Sequence, residues 1–507
     1  MKVEIMDTTL RDGEQTSGVS FTASEKLSVA KMLLEEIKVD RIEVASAKVS
    51  EGEFKAVKRI TEWAGQNGYL DKVEVLGFID GNQSIDWIRD SGAKVVNLLC
   101  KGSLKHLTGQ LKKTPEQHVE DIKNVLNYAI SQGLKANIYF EDWSNGMRNS
   151  QEYVLFLLEA LRKEKLMRFM LPDTLGVMNP EEAYKFVKIM VDRAPELHFD
   201  FHAHNDYDLA TANVLAGVKA GARGVHTTVN GLGERAGNAP LASVVAVLHD
   251  HSDIKLKINE EKINVVSRMI ESISGIRIPS NKPVVGENVF TQTCGVHADG
   301  DNKDKLYFNE LLPERFGRVR KYALGKTAGK SNIMKNLQEL GIELEPELMK
   351  QVTKRVIELG DKKENVTTDD LPFIISDILN SDFIEQKIKI KNYSLSLTDG
   401  LKPVASISIE ISKRNYQETA IGDGQYDAFM NALKKIYKAL NKELPKLLDY
   451  EVSIPPGGKT DALVETVITW ENSREFKTRG LDPDQTIAAI KATLKMLNIV
   501  ENEVHSR

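Results

Sequence analysis

The chain has 507 residues, of which 28% are charged, and a formal net charge of -5. This length is too great for one ordinary core and predicts two or three domains, while the balanced charge favours neither a nucleic-acid partner nor a disordered acidic tail. No signal peptide or membrane-spanning apolar run is visible, and the two cysteines, Cys100 and Cys294, lie far apart. We therefore expect a cytoplasmic protein with small-molecule chemistry and no membrane partner.

Eight short runs rich in β-branched residues alternate with amphipathic helical segments from residue 3 onward. This alternation is typical of βα units in a parallel sheet. Eight such units predict an α/β fold whose N-terminal domain, residues 1–253, is a closed (β/α)₈ TIM barrel. The predicted strands are residues 3–6, 41–45, 73–78, 95–99, 137–140, 168–171, 198–201 and 224–228.

The pattern changes twice after the predicted barrel. Residues 254–389 lack strand alternation and predict a linker with mostly helical subdomains. Residues 390–507 predict a C-terminal α+β domain of two βββα units, because three strands and a helix occur there twice in succession. The predicted strands of this domain are residues 393–397 and 404–411, a third near Glu418, then 450–454, 464–470 and 474–479, and the predicted helices are 426–440 and 484–497.

Charged side chains follow the first predicted strand directly, in the motif DTTLRDGEQ at residues 7–15. The carboxyl ends of barrel strands carry the active site in this fold, so Arg11 and Asp12 are candidate functional residues. The alternative is a solvated loop after an edge strand.

A second group of polar residues predicts a metal site. His202 and His204 are two residues apart at the carboxyl end of the seventh strand and therefore share a face. Asp12 follows strand one and Asn238 follows strand eight, and closing the barrel makes strands seven, eight and one neighbours. Two imidazoles, a carboxylate and an amide oxygen suit zinc, manganese, cobalt or magnesium as a Lewis acid. Two packed, hydrogen-bonded histidines are the alternative.

Four motifs resemble those of the Claisen-condensing synthases that join acetyl-CoA to a 2-oxo acid, a family of 2-isopropylmalate, homocitrate and citramalate synthases. The motifs are DTTLRDGEQ at residues 7–15, HAHND at 202–206, NGLGERAGN at 230–238 and GVHADG at 295–300. The resemblance spans nearly the whole chain, since the C-terminal repeat is similar to the family's allosteric amino-acid-binding domain. Within the family, residues 139–146 are most similar to the citramalate synthases.

The resemblance implies an acyltransferase that condenses acetyl-CoA with pyruvate and water to (R)-citramalate and CoA. That reaction opens a threonine-independent route to isoleucine. The resemblance further implies that Glu141 and His297 are acid–base groups, and that the connecting region brings His297 and Asp299 over the barrel mouth from the same chain or a partner subunit. Beside the metal, Arg11 would stabilise the developing alkoxide and Thr174 would bind the substrate carboxylate.

Leu76, Leu99 and Tyr139 lie at the ends of strands three, four and five and predict one wall of the site. The wall is apolar and bulky, so it suits the methyl group of pyruvate better than the isopropyl group of 2-oxoisovalerate. It also offers no cation for the distal carboxylate of 2-oxoglutarate. The alternative is that these residues belong to the barrel core.

The two C-terminal repeats predict a small pocket between them. The resemblance implies a feedback inhibitor there, isoleucine for a citramalate synthase or leucine for a 2-isopropylmalate synthase, and a homodimer; dimerisation alone is the alternative. The candidate effector contacts are Tyr426, Asp427, Tyr450, Thr460, Ala462, Pro483 and Gln485. Other functions left open are 2-isopropylmalate synthase, a metal-dependent acyl-CoA lyase, a metal-dependent hydrolase and a non-catalytic amino-acid sensor.

Overall fold

The structure is a computed structural model that describes residues 2–361, 366, 368–379, 387–453, 464–472 and 474–503. The chain forms two compact units. The first unit contains Met1–Phe290 and Phe308–Arg320, and the second contains Thr291–Tyr307 and Lys321–Arg507. Part of the predicted connecting region, residues 254–290, therefore belongs to the first unit. Among the described residues, no helix is both long enough and apolar enough to cross a membrane.

The first unit is a closed barrel of eight strands in sequence order, as predicted. Every neighbouring pair is parallel, and β1 pairs with both β2 and β8, which brings Met6 opposite Arg41 on one side and His226 on the other. The strands are β1 (Glu4–Asp7), β2 (Arg41–Ser46), β3 (Val73–Phe78), β4 (Val95–Lys101), β5 (Lys135–Glu141), β6 (Leu166–Asp173), β7 (Phe199–Ala203) and β8 (Gly224–Thr227).

Amphipathic helices surround the barrel, and their buried faces form one continuous apolar core with the outer faces of the strands. The predicted start of the first helix is confirmed, since Thr22 and Glu25 form a reciprocal capping box. The helices are α1 (Ala23–Lys31), α2 (Glu51–Gln66), α3 (Gln83–Asp90), α4 (Leu104–His106), α5 (Pro115–Ser131), α6 (Trp143–Asn149), α7 (Gln151–Leu161), α8 (Pro180–Arg193), α9 (Ala210–Lys219), α10 (Leu241–His251) and α11 (Ile263–Ser274). Short 3₁₀ or π turns lie at Gly13–Gln15, Met32–Ile37, Leu70–Lys72, Leu107–Leu111, Val229–Gly231, Glu260–Lys262 and Pro313–Phe316.

The interior of the barrel is polar over much of its length. Barrel interiors are usually filled by Val, Ile and Leu, whereas here Arg41, Glu74, Asn137 and Asp200 are buried and hydrogen-bonded to one another. The apolar part of the interior is the cluster formed by Met6, Leu76, Tyr139 and Met170, with Leu99 packed against it.

The second unit begins with short elements and ends in two repeated halves. The leading elements are β9 (Thr291–Gln292), α12 (Gly295–Asn302), β10 (Lys321–Tyr322), α13 (Lys330–Glu339), α14 (Pro346–Asp361), the 3₁₀ turn Thr368–Asp370 and α15 (Leu371–Leu379). The first half contains β11 (Ile388–Ser396), β12 (Val404–Ile411), β13 (Arg414–Ile421) and α16 (Gln425–Ala439). The second half contains β14 (Lys446–Ser453), β15 (Val464–Glu471), β16 (Glu475–Asp482) and α17 (Gln485–Glu503).

Each half is a three-stranded antiparallel sheet followed by a helix, so the predicted pair of βββα units is confirmed. The two halves share one apolar core, in which Leu433 and Ile436 of α16 belong to the same buried cluster as Ile468 and Trp470 of β15. Neither half could bury its helix face alone, since a lone three-stranded sheet with one helix leaves apolar surface exposed.

Candidate active site

Hydrogen bonds hold the start of the loop after β1. β1 ends at Asp7, so Arg11 and Asp12 lie in the turn beyond it. The Asp7 carboxylate accepts from the Thr9 backbone N–H (2.9 Å), and the Thr9 hydroxyl accepts from the backbone N–H of Val229 after β8 (2.8 Å). Burial raises the pKa of Asp7 to about 7. These contacts join the loops after strands one and eight.

A buried lysine holds the same loop from the outside. Lys26 of α1 is fully buried, and its ammonium group donates to the Leu10 carbonyl (3.0 Å). The charge is balanced by Glu14 and Glu53, each 2.7 Å away. A buried charge is tolerated only when paired in this way, so Lys26 ties the motif at residues 7–15 to the barrel wall.

The structure brings Asp12, His202 and His204 together. All three side chains are buried, and one potential ligand atom from each lies within 4.8 Å of the others. His202 is the next-to-last residue of β7, and its Nε2 lies 3.2 Å from the Asp12 carboxylate. A carboxylate and two imidazoles at this separation match the donor set of a divalent-cation site.

Asn238 joins this group because the glycine-rich loop after β8 runs back along the end of β7. His204 and Asn238 form an antiparallel bridge. The Asn238 amide donates to the Leu232 carbonyl (3.2 Å), which leaves its Oδ1 turned the other way. Gly233 has φ +158°, and a Cβ there would lie 2.2 Å from the Asn238 amide nitrogen, so only glycine fits.

Buried polar atoms in this cluster lack protein partners. Within the described part of the chain, Nδ1 of His202, Nδ1 of His204 and Oδ1 of Asn238 are buried without a hydrogen bond. Leaving such atoms unsatisfied costs about 1–3 kcal/mol each. A divalent cation would satisfy lone pairs of this kind, so the residues present fit a metal.

The surroundings of the cluster favour the forms of Asp12 and His204 that bind a metal. Burial alone would raise the pKa of Asp12, but the Arg11 charge and a hydrogen bond with His202 lower it well below its ordinary range. Burial lowers the pKa of His204 to about 4. Metal ligation needs an ionised carboxylate and a neutral imidazole, and these two shifts favour both forms at neutral pH.

Arg11 has a partner that sequence reasoning missed. Its Nε donates to the Glu43 carboxylate (2.6 Å), and its Nη1 lies 3.3 Å from Asp12. The other Glu43 oxygen accepts from the Asn97 amide (2.6 Å). Glu43 lies two residues after Arg41 on β2, so inward alternation is the signal that could have identified it. The guanidinium is therefore held between two carboxylates at the barrel mouth.

The predicted wall residues lie together. Leu76 and Tyr139 are buried in one cluster and Leu99 packs against it. The Tyr139 ring lies edge-on to His202, with 6.1 Å between ring centroids, and the Arg11 guanidinium carbon is 5.9 Å from the centre of the ring. This wall therefore adjoins the metal cluster and Arg11.

Glu141 and Thr174 lie at the carboxyl ends of β5 and β6. Glu141 ends β5 and accepts a hydrogen bond from Lys101 at the end of β4, a partner that sequence reasoning missed. The Thr174 hydroxyl accepts from the Asp142 backbone N–H (2.9 Å). Arg235, also missed, donates to the Thr174 carbonyl (2.7 Å). Both predicted residues thus belong to the barrel mouth and have fixed neighbours.

His297 and Asp299 belong to the second unit, on α12. The His297 ring packs on Tyr307 with 4.2 Å between ring centroids. Asp299 accepts from Lys303 (2.7 Å), and this bond lowers the pKa of the carboxyl group. Their action at the barrel mouth stays a prediction.

The predicted effector residues fall into three groups. Tyr426, Asp427, Tyr450 and Gln485 line a cavity of about 1290 Å³ between the two βββα halves. Pro483 is exposed and does not belong to the described lining. Thr460 and Ala462 lie outside the described residues.

The cavity is lined by aromatic rings and by polar side chains, which include Lys434, Lys438, Lys442 and Lys446. The rings of Tyr426 and Tyr450 are 5.4 Å apart, and the Tyr426 hydroxyl bonds with that of Thr493 (2.8 Å). Trp470 forms part of the cavity floor. This combination suits a small ligand with both apolar and polar groups.

Comparisons with known proteins agree with this architecture. The sequence model of the HMGL-like family matches residues 2–270. Those of the homocitrate synthase post-HMGL domain-like region and of the LeuA allosteric (dimerisation) domain match residues 284–364 and 365–501.

Three relatives match over almost their whole length. An (R)-citramalate synthase of Methanocaldococcus jannaschii is 34% identical, over 99% of this chain and 100% of that protein. A provisionally named (R)-citramalate synthase of Archaeoglobus fulgidus is 35% identical, over 99% and 100%. The 2-isopropylmalate synthase of M. jannaschii is 33% identical, over 98% and 94%.

The chain therefore belongs to the HMGL-like family, among its citramalate and 2-isopropylmalate synthases. It is an acyltransferase-type condensing enzyme that uses acetyl-CoA, as the sequence motifs predicted.

Proposed function

We propose that this enzyme condenses acetyl-CoA with pyruvate and water to give (R)-citramalate and CoA. The observation that carries the proposal is the bulky apolar wall of Leu76, Leu99 and Tyr139, packed beside Arg11 and the metal cluster. A wall of this size accommodates a methyl group and opposes a branched one, because overfilling a packed site is unfavourable. The reaction would open a threonine-independent route to isoleucine.

Asp12, His202, His204 and Asn238 would hold a divalent metal, with manganese, magnesium, zinc and cobalt as the candidates. The buried unsatisfied atoms of these residues support this assignment. When bound, the metal would supply Lewis-acid polarisation of the 2-oxo acid.

The protein's own residues would supply the remaining chemistry. Arg11, fixed by Glu43, would stabilise the negative charge that develops on the keto oxygen as the carbon–carbon bond forms. The Thr174 hydroxyl accepts from Asp142, so its own proton is available to the substrate carboxylate. Glu141, oriented by Lys101, would take a proton from the acetyl methyl group.

Two further assignments rest on the family resemblance. His297 and Asp299 would complete the acid–base set, and water would then cleave the thioester and release CoA.

The match to a dimerisation domain supports a homodimer. The cavity between the βββα halves supports feedback inhibition by isoleucine.

The 2-isopropylmalate synthase reaction, with 2-oxoisovalerate, is the second candidate. Relatives of both kinds from one organism are 34% and 33% identical to this chain. Overall similarity therefore gives no preference between the two substrates, and the wall residues decide between them.

The experiment is a measurement of CoA thiol release from acetyl-CoA with manganese or magnesium. Pyruvate, 2-oxoisovalerate and 2-oxoglutarate are compared at equal concentration, and the product is identified by mass. Release with pyruvate alone is expected. Preference for 2-oxoisovalerate would identify the enzyme as a 2-isopropylmalate synthase of the leucine pathway. If no substrate releases CoA, the acyl-CoA lyase reaction becomes the next candidate.

A separate measurement tests the effector. Isoleucine and leucine are added to the full chain and to the Tyr450→Ala variant, with the exposed Lys402→Gln variant as the control. We expect isoleucine to inhibit the full chain and the control, and Tyr450→Ala to weaken that inhibition. Unchanged inhibition of Tyr450→Ala would place the effector elsewhere.

A further inference from the structure

His226 is a buried residue of the barrel interior that contacts the substrate wall without belonging to it. It lies on β8 and is 1% exposed. Its Nδ1 is 3.0 Å from the Tyr139 hydroxyl, and its Nε2 is 3.1 Å from the Asp200 carboxylate. Both ring nitrogens therefore have a partner, and one of these partners is the largest residue of the wall.

The neighbours of His226 determine the direction of each hydrogen bond. Arg41 donates to the Asp200 carboxylate (2.5 Å). A carboxylate only accepts, so Nε2 of His226 is the donor in the bond to Asp200. In the tautomer that carries its proton on Nε2, Nδ1 is an acceptor, and the Tyr139 hydroxyl is then the donor.

The backbone makes room for this arrangement. Asp200 on β7 faces Gly224 on β8, two residues before His226. A Cβ at Gly224 would lie 2.0 Å from Oδ1 of Asp200. Glycine at this position therefore allows Asp200 to point inward and reach both Arg41 and His226.

We propose that His226 is a positioning residue that anchors the Tyr139 hydroxyl and thereby fixes the wall that sets the size of the 2-oxo acid. This inference rests on the proposed pyruvate specificity. It also gives the Tyr139 hydroxyl a defined role, because its proton is committed to His226 and serves neither the substrate nor acetyl-CoA. A tyrosine ring held at its far end resists displacement by a larger substrate, whereas an unanchored ring can rotate away.

The test compares kcat/KM for pyruvate with kcat/KM for 2-oxobutanoate, which is longer by one methylene group. Two variants, Tyr139→Phe and His226→Leu, remove the hydrogen bond from either side. His226→Asn is the conservative variant, since its amide oxygen can take the place of Nδ1. We expect the preference for pyruvate to fall about tenfold in the first two variants and to stay within about threefold of the wild type in His226→Asn.

A double variant separates positioning from a general structural role. Because both changes remove the same bond, Tyr139→Phe with His226→Leu should lose no more preference than either change alone. The exposed His249→Asn variant is the mutagenesis control and keeps the wild-type preference. Manganese binding, followed by electron paramagnetic resonance, should stay within twofold in all variants, because His202 keeps its position.

The outcomes are distinct. If Tyr139→Phe keeps the wild-type preference for pyruvate over 2-oxobutanoate, the inference is overturned. This variant is sufficient for the test even if His226→Leu does not fold. Additive losses in the double variant also overturn it. Equal kcat/KM values of the wild-type enzyme for 2-oxobutanoate, 2-oxoisovalerate and pyruvate would overturn the proposed function itself, independently of His226.

Discussion

The interior of the barrel and the interior of the C-terminal domain differ in composition. The barrel buries Arg41, Glu74, Asp200 and His226 in one hydrogen-bonded network. The C-terminal domain buries an apolar cluster around Trp470 and leaves a large cavity beside it. Apolar burial stabilises in proportion to area and has no direction, whereas paired charges fix the positions of their partners.

The difference suits the tasks proposed for each region. A condensing site needs groups held at constant positions, because misplacement of reacting groups lowers the rate steeply. A sensing site needs a cavity that a ligand can fill. We therefore expect single substitutions in the barrel interior to have large effects and matched substitutions in the C-terminal domain to have small ones.

The largest difference is expected for Arg11→Gln. The change removes the cation between Asp12 and Glu43, and loss of one such charge-stabilising group lowers kcat by about 10²–10³-fold. The matched substitution in the C-terminal domain is Lys402→Gln, at an exposed pair with Asp423. Thiol release measures both variants, and a tenth or more of wild-type activity in Arg11→Gln would contradict the role of the guanidinium.

The second difference concerns stability. Gly224→Ala would put a Cβ 2.0 Å from the Asp200 carboxylate and should cost at least about 1–3 kcal/mol of unfolding free energy. Gly424→Ala is the control in the C-terminal domain, because a Cβ there meets nothing within 4 Å. Urea unfolding compares the two variants. Equal urea midpoints for Gly224→Ala and Gly424→Ala would show that the barrel interior can relax around the added methyl group.

The third test alters the shape of the site without removing a charge. Tyr139→Ser removes a ring from the wall, and Leu99→His replaces a branched aliphatic chain with a flatter group. Both should raise kcat/KM for 2-oxoisovalerate relative to pyruvate, by about tenfold for Tyr139→Ser. Competition between the two oxo acids, followed by product mass, measures the ratio. An unchanged ratio in both variants would contradict the assignment of this wall.

The smallest expected effect near neutral pH is a pH dependence of barrel stability, which grows as the pH falls. Nε2 of His118 accepts from the backbone N–H of Lys101 (3.1 Å), and burial lowers the pKa of His118 to about 4. An unfolded histidine titrates near pH 6.5, so between pH 6.5 and 4 only the unfolded chain binds this proton. His118 therefore makes the barrel less stable as the pH falls, by about 1.4 kcal/mol per pH unit.

His118→Gln should remove that slope, because the glutamine carbonyl can accept the same hydrogen bond but does not titrate. Unfolding free energies from pH 4 to 7 measure the effect, and the exposed His249→Asn variant is the control. If the unfolding free energies of His118→Gln and the wild type fall in parallel with pH, His118 does not cause the slope. The described part of the C-terminal domain contains no histidine, so its stability should lack this contribution.

The sequence predicted the elements because their signals are local. Alternation of β runs and amphipathic helices predicted the barrel, and the repeated order of strands and helix predicted the two halves. Asp12, His202 and His204 were predictable as a group because the barrel makes their strands neighbours.

The contacts between side chains of distant strands were not predictable. Tyr139 meets His226 across 87 residues of sequence, and this pairing depends on how far each strand is displaced along its neighbours when the barrel closes. A period of two identifies which residues face inward but not which of them meet. For that reason His226 and Glu43 escaped notice although both lie on inward positions.

The missing side chain at Gly224 also has a consequence for how this sequence can change. A side chain at Gly224 would displace Asp200, the loss of Asp200 would leave the buried Arg41 with Glu4 and Glu74 as its carboxylate partners, and His226 would lose the partner that sets its tautomer. A substitution at any one of these four positions is therefore expected to disturb the other three. Leu76 and Leu99 contact their neighbours through apolar packing instead, so we expect single substitutions at these two positions to be tolerated better.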